Sequence, residues 1–160
     1  MTAHLLHVTP IQVRFGDTDR FGHINNASFA TYSESARIEL ITSLGYPLGG
    51  MILAHMAIDF RRQLHVGDPL LVLSRIARIG RSSIAMRQAL LRPAAPEAGH
   101  GPARSVDMAE APTGEVVADI HTVVVTYDYR EERSVPVPED LRARLAPFCG
   151  PLPVAGGAGP

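Results

Sequence analysis

Two aspartates of this sequence, Asp17 and Asp19, lie in a short polar segment directly before a stretch with helical spacing. A helix N-terminus presents unpaired N–H groups and a positive potential. A carboxylate beside it can act as base or nucleophile on a carbonyl group that these N–H groups polarise. Alternatively, both aspartates only accept hydrogen bonds from turn amides, as turn aspartates commonly do. Residue types and spacing leave both interpretations open, with the second the commoner one.

The elements around these aspartates follow from hydrophobic periodicity. Residues 7–15 alternate apolar and polar side chains, which predicts a half-buried strand. Residues 29–44 carry apolar side chains at helical spacing. We expect a helix of about five turns here, with Asn25 or Asn26 as its N-cap and Gly45 at its end.

Most of the remaining chain is predicted to form strands, because its branched and apolar residues favour extended structure. These segments are 51–64, 70–79, 82–92 and 115–129. Short turns join several of them, which indicates antiparallel neighbours. The predicted class is α+β, a long helix against an antiparallel sheet of about five or six strands.

Three further segments complete a single domain over residues 1–149. Residues 93–114 are rich in alanine, proline and glycine, which predicts a long mobile loop outside the catalytic machinery. Residues 139–147 favour a short helix, and residues 150–160 are expected to form a flexible tail.

Composition excludes several classes of function. The chain has 160 residues and a formal net charge of -1, so an extended nucleic-acid surface is not expected. Its single cysteine, Cys149, cannot form an internal disulfide, which favours a reducing compartment. The N-terminus does not resemble a signal peptide, and no apolar run reaches the roughly 18 residues of a membrane span. We therefore expect a cytoplasmic protein without a membrane partner.

Other catalytic arrangements find little support. The seven histidines are scattered and there is one cysteine, so no metal site is predicted. Ser82 and Ser83 lack the Gly-x-Ser-x-Gly setting of a serine nucleophile. No cofactor is expected.

The segment around the aspartates resembles the 4-hydroxybenzoyl-CoA thioesterase-like branch of the hot-dog superfamily. Members have Asp-x-Asp-x-x-Gly-His-Val/Ile-Asn-Asn, then a helix with Tyr and Glu-x-Ala-Arg. The matching residues here are Asp17, Asp19, Gly22, His23, Ile24, Asn25, Asn26, Tyr32, Glu34, Ala36 and Arg37. Residues 60–63, 67–68 and 79–83 also look like the family's strand and turn signatures. So long a combination is more specific than any single motif in it.

The resemblance implies a hot-dog fold and hydrolysis of an acyl-CoA thioester. Asp19 then corresponds to the catalytic carboxylate, and the backbone N–H of Asn26 to the group that binds the thioester oxygen. Whether Asp19 attacks the carbonyl or activates water stays open. For His23 two roles stay open, a catalytic partner or a residue that fixes its turn. Phe15 and Asn25 are assigned to substrate binding.

The same resemblance places the nucleotide end of coenzyme A at the turn of Arg81, Ser82 and Ser83, since arginine binds phosphate well. Two positions depart from the family pattern. A subset of relatives has histidine where this chain has Asn26, and many have tyrosine where it has Phe29.

Two alternatives use the same ligands, namely a hot-dog hydratase or dehydratase and a non-catalytic acyl-CoA-binding module. Thiol release, hydration of an enoyl-CoA, and binding without turnover separate the three. A sheet covered by one helix also leaves an edge without a partner. We therefore expect a homodimer with composite active sites, in which strand 115–129 pairs across a two-fold axis, or a homotetramer built from such dimers.

Overall fold

The computed structural model describes residues 4–47 and 49–153, and the predicted class is confirmed. The strands are β1 Leu5–Ile11, β2 Met51–Phe60, β3 Leu70–Ile79, β4 Ser83–Pro93, β5 Arg104–Asp107, β6 Gly114–Asp128 and β7 Arg133–Ser134. The helices are α1 Asn26–Ser43 and α2 Glu139–Leu145. The fold is α+β with one long helix, and its antiparallel sheet has seven strands rather than five or six.

Helix α1 packs its apolar stripe against one face of the sheet. Phe29, Tyr32, Ala36 and Leu40 are all buried, as their helical spacing predicts. The helix has 18 residues, so it is about 27 Å long. Gly45 follows it with φ +69°, a conformation that glycine adopts without strain. No helix within residues 4–47 and 49–153 is both long enough and apolar enough to span a membrane.

The order of strands corrects one expectation about assembly. The sheet runs β2-β6-β4-β3-β1-β5, and β7 pairs with the end of β6. Strand β6 has hydrogen-bonded neighbours on both sides, β2 and β4. The prediction that strand 115–129 pairs across a two-fold axis is therefore wrong, because its backbone groups are already used. Its valine-rich sequence is typical of an inner strand, whereas β2 lies at an edge.

The prediction that residues 93–114 form a long loop is also wrong, because the segment has secondary structure of its own. This segment contains β5, which pairs with β1 in antiparallel register, and two short 3₁₀ turns. Val106 and Met108 pack over an apolar cluster on the sheet face opposite α1. The strand could not be predicted from composition, because it forms by pairing with the free edge of β1. That pairing is a long-range contact and does not depend on local propensity.

The start of the predicted flexible tail is fixed by a buried arginine. Arg75 is 1% exposed and donates to the carbonyl oxygens of Phe148, Cys149 and Pro151 at 3.1, 2.7 and 2.8 Å. Gly150 donates its N–H to the Ile76 carbonyl at 2.9 Å. Residues 150–153 are thus bound to β3, because a buried guanidinium needs these acceptors. Residues 154–160 of the predicted tail lie outside the described residues.

A row of polar side chains crosses the sheet beneath α1. Ser105, His7, Ser74 and Gln88 are cross-strand neighbours on β5, β1, β3 and β4. The Gln88 amide donates to the Ser33 carbonyl and the Ser74 hydroxyl, both at 3.1 Å. This polar row separates one apolar cluster around Phe29 from a second around Leu40.

His7 makes the stability of this fold depend on pH. Burial lowers the pKa of the His7 imidazole to about 4, against an ordinary value of 6.5. The unfolded chain therefore binds the proton more readily, so stability is full above about pH 6.5 and falls toward pH 4. We expect wild type to lose about 3 kcal/mol more than His7→Gln across this window, at about 1.36 kcal/mol per pKa unit. Urea unfolding at several pH values measures this difference, and parallel curves for the two proteins would contradict it.

Candidate active site

The loop before α1 is fixed by Asp17. Its carboxylate accepts the Arg14 N–H at 2.9 Å and the Tyr32 hydroxyl at 2.6 Å. Its carbonyl oxygen accepts the Asn25 N–H at 2.8 Å and the Ser28 hydroxyl at 3.3 Å. Burial, together with the hydrogen bond to Asp17, raises the pKa of Tyr32, so the phenol stays a donor. The first strand ends at Ile11, earlier than predicted. Residues 15–17, which were predicted to continue or follow it, form a 3₁₀ turn that these bonds hold in place.

Asp19 has one oxygen fixed and one open. Its Oδ1 accepts the N–H groups of Phe21 and His23 at 2.8 and 3.0 Å. Its own N–H donates to the His23 carbonyl at 2.7 Å, which closes the turn. Among the described residues, Oδ2 of Asp19 accepts no hydrogen bond. The carboxylate is therefore held in one orientation and keeps an oxygen for a reacting group.

The N-terminus of α1 follows Asp19 closely in the chain. Asn25 caps the helix, because its side-chain oxygen accepts the Ala27 N–H at 3.0 Å. Asn26 is the first helical residue and is exposed. Its backbone N–H has no acceptor within the described part of the chain, as expected at a helix start. The assigned substrate-binding role of Asn25 stays a prediction, and its side-chain oxygen is used as the cap.

His23 lies against a second histidine, His65, in the turn after β2. The rings of His23 and His65 meet edge to face with centroids 5.4 Å apart. The neighbouring Ile24 N–H donates to the Leu64 carbonyl at 2.9 Å. The turn that follows β2 is therefore part of the wall of this site. Its only sequence signal is the His-x-Gly-Asp-Pro pattern, which predicts a turn and no chemistry.

Two exposed aromatic residues, Phe15 and Phe21, lie within four positions of Asp19 in the sequence. Phe15 and Phe21 are 82% and 83% exposed, and Phe60 is 47% exposed. Phe60 also contacts the buried Phe29 ring, with centroids 5.1 Å apart. Large apolar groups exposed next to a functional residue are candidates for contact with a ligand. Of these residues, only Phe15 was predicted from the sequence to bind substrate.

The other predicted substrate-binding residues lie at the opposite end of the sheet. Arg81 and Ser82 lie in the connection between β3 and β4, and Ser83 is the first residue of β4. The Ser82 carbonyl accepts the Thr126 N–H at 2.9 Å. The ten residues of β3 separate this connection from the turn near Asp19, which corresponds to about 30 Å. Within one chain, Phe15, Asp19, His23, Asn25 and Asn26 come together, and the Arg81 turn does not join them.

The residues described here offer no metal centre. No group of three or more histidine, cysteine, aspartate or glutamate side chains across residues 4–47 and 49–153 is arranged to hold an ion. The site places the carboxylate of Asp19 in the loop that leads into the N-terminus of α1.

Comparison with known proteins gives a family match over most of the chain. The family model of the thioesterase-like superfamily matches residues 13–145 of the chain. This range contains the aspartate pair, α1 and all strands except β1.

Solved structures of thioesterases share the fold. A thioesterase from Thermus thermophilus, crystallised with coenzyme A and zinc, is 29% identical with a TM-score of 0.69, over 89% of this chain and 93% of that one. A predicted thioesterase from Bacillus stearothermophilus is 23% identical with a TM-score of 0.71, over 91% and 97%. A 1,4-dihydroxy-2-naphthoyl-CoA thioesterase from Synechocystis is 21% identical with a TM-score of 0.70, over 88% and 96%.

The match of the family model spans most of the chain, and the sheet with its single long helix agrees with the solved relatives. The resemblance inferred from the aspartate motif is confirmed at this level. The chain belongs to the thioesterase-like superfamily and is a thioesterase of the hot-dog fold.

Proposed function

We propose that this enzyme hydrolyses acyl-CoA thioesters with Asp19 as the reacting carboxylate. The observation that carries the proposal is the carboxylate whose Oδ1 is fixed by two amides while Oδ2 is open. The free N–H of Asn26 at the start of α1 is the donor for the thioester carbonyl oxygen. The helix end stabilises the negative charge that develops there.

Two routes agree with this geometry. In one, Asp19 takes a proton from water, the resulting hydroxide adds to the carbonyl carbon, and the C–S bond breaks to release the thiolate. In the other, Asp19 attacks the carbon itself and the C–S bond breaks, which releases the thiolate and leaves a mixed anhydride that water then cleaves. Both give a free acid and coenzyme A, which takes up a proton at sulfur. Neither route requires a cofactor.

Coenzyme A is the carrier that we propose for the acyl group. A relative that is 29% identical was crystallised with coenzyme A. In this chain, Arg81 is an exposed cation at the β3–β4 connection, next to two hydroxyl groups on Ser82 and Ser83. Arginine binds phosphate through paired N–H donors, and serine hydroxyls add single bonds. We assign these three residues to the nucleotide end.

The distance between Asp19 and Arg81 leads us to propose a dimer with composite sites. Strand β2 is an edge of the sheet. Its Phe60 end contacts Phe29 in the first turn of α1, which follows the Asp19 loop, and its Met51 end lies beside the Arg81 turn. Antiparallel pairing of two β2 strands about a two-fold axis brings the Arg81 end of one chain next to Asp19 of the other. Such pairing also covers apolar groups at this edge, such as Leu53, which is 46% exposed.

A cytoplasmic location stays a prediction.

The first test concerns Asp19. Asp19→Asn keeps the side-chain shape and the oxygen that accepts the two amides, but it removes the negative charge. We expect kcat to fall by at least about 100-fold, the low end for a positioned base. Acyl-CoA binding should persist, because the residues around Asp19 and the Asn26 N–H are unchanged. The rate of thiol release gives kcat, and calorimetry gives the affinity for acyl-CoA, so the two effects are measured separately.

Asp17→Asn is the matched control, since Asp17 lies two residues away and its carboxylate bonds only to Arg14 and Tyr32. It should lower stability by about 1 kcal/mol through a weaker hydrogen bond, with a smaller effect on kcat. Near wild-type turnover by Asp19→Asn would refute the assignment. Hydration of an enoyl-CoA without thiol release would instead favour a hydratase.

The second test concerns Arg81. Arg81→Ala should raise KM for acyl-CoA more than it lowers kcat, since a phosphate contact far from the reacting carbon contributes equally to ground and transition states. The effect should be much smaller with an acyl thioester of N-acetylcysteamine, which lacks the nucleotide. Equal losses on both substrates would mean that Arg81 does not bind phosphate.

The third test concerns the composite site. We expect wild type to be a dimer by light scattering and Leu53→Asp to shift it toward monomer, because a charge at a paired edge is unfavourable. Ala109→Asp, an exposed position at the opposite side of the sheet, is the control. Co-refolding Asp19→Asn with Arg81→Ala should restore about a quarter of wild-type activity at low substrate concentration, since half of the chains form heterodimers with one intact site. No recovery would place both residues of one site in one chain.

A further inference from the structure

The turn between β2 and β3, residues 63–68, contacts the Asp19 loop through His23. The His65 ring packs edge to face on the His23 ring at 5.4 Å between centroids. The backbone N–H of His23 is one of the two donors that fix Oδ1 of Asp19, at 3.0 Å. A displacement of His23 therefore displaces the carboxylate that we assign to catalysis.

This turn is held in place by charged side chains. Oδ2 of Asp68 accepts the His65 N–H at 2.9 Å and lies 3.8 Å from His65 Nδ1. The Arg92 guanidinium donates to the same oxygen at 3.0 Å and to the Gln63 carbonyl at 2.8 Å. Arg92 thus ties both ends of the turn to β4. Leu64, in the middle of the turn, is 1% exposed and belongs to the core.

A contact chain therefore runs from the sheet to the reacting group. It passes from Arg92 to Asp68, then to His65, to His23 and finally to Asp19. The proposed hydrolysis assigns no task to His65 or Asp68, although both lie beside the site. The first three links are contacts between side chains. In the last link, the backbone N–H of His23 donates to the carboxylate of Asp19.

We propose that His65 is a positioning residue for Asp19, acting through His23 and held in place by Asp68. The role rests on the proposed function, since it places the carboxylate for attack on a thioester. A misplacement of about 1 Å at a reacting group can lower the rate by about 100-fold. A residue that only orients the carboxylate affects the chemical step and leaves the coenzyme A contacts unchanged.

The test compares two substitutions of His65. His65→Ala removes the ring, and we expect kcat to fall by about tenfold with KM within about twofold of wild type. His65→Phe retains an aromatic ring for the edge-to-face contact and should recover most of the activity. In hydrogen exchange followed by NMR, the His23 amide should exchange faster in His65→Ala than in wild type and His65→Phe. Asp68→Asn, which leaves an oxygen acceptor but no charge, should give an intermediate effect.

His121→Ala provides the matched control. His121 also forms an edge-to-face pair, with His55 at 5.6 Å, but on the sheet face away from α1. It should leave kcat and exchange at His23 unchanged. Equal kcat in wild type and His65→Ala, or unchanged exchange at His23, would overturn the positioning role. If wild type hydrolyses no acyl-CoA while the His23 amide responds to His65→Ala, the proposed function fails and the contact chain stands as a structural coupling.

Discussion

The hydrogen bonds of Asp17 are the constraint on which the candidate site depends. One residue joins the segment after β1, the start of α1 and the side of that helix, through Arg14, Asn25 and Tyr32. Residues 17–25 therefore form a closed loop with fixed ends. Asp19 lies inside this loop, and its carboxylate is bound by two further amides. Preorganisation of this kind lowers the reorganisation needed when charge develops during reaction.

The sheet is a rigid layer beneath this loop, but the core between the sheet and α1 is divided into two parts. Two apolar clusters lie under α1, one near Phe29 and the other near Leu40. The polar row of the sheet lies between them, and its member Gln88 forms hydrogen bonds with Ser33 of α1 in place of apolar contact. Buried polar groups of this kind favour one register of a helix over a sheet, because a shift along the helix leaves them without partners. The row thus helps to keep the start of α1 beside Asp19.

Sequence patterns predicted those features that depend on local periodicity or on an intact motif. The boundaries of α1 followed from an asparagine cap, apolar spacing and Gly45, and the motif identified the fold. The strand β5 and the bound segment after Cys149 were missed, since each is stabilised by a distant partner, the edge of β1 and the Arg75 side chain. The contact of His65 with His23 was missed for the same reason, as 42 residues separate them in sequence.

The two edges of the sheet differ in a way that limits how far assembly can proceed. The edge formed by β2 has ten residues, whereas β5 has four residues with Arg104 and Asp107 at its ends. A short edge with charges at both ends is a poor template for another strand. If two copies join through β2, only β5 edges face outward on either side of the combined sheet. The symmetric pair is then a closed object, and strand addition does not continue into a fibre.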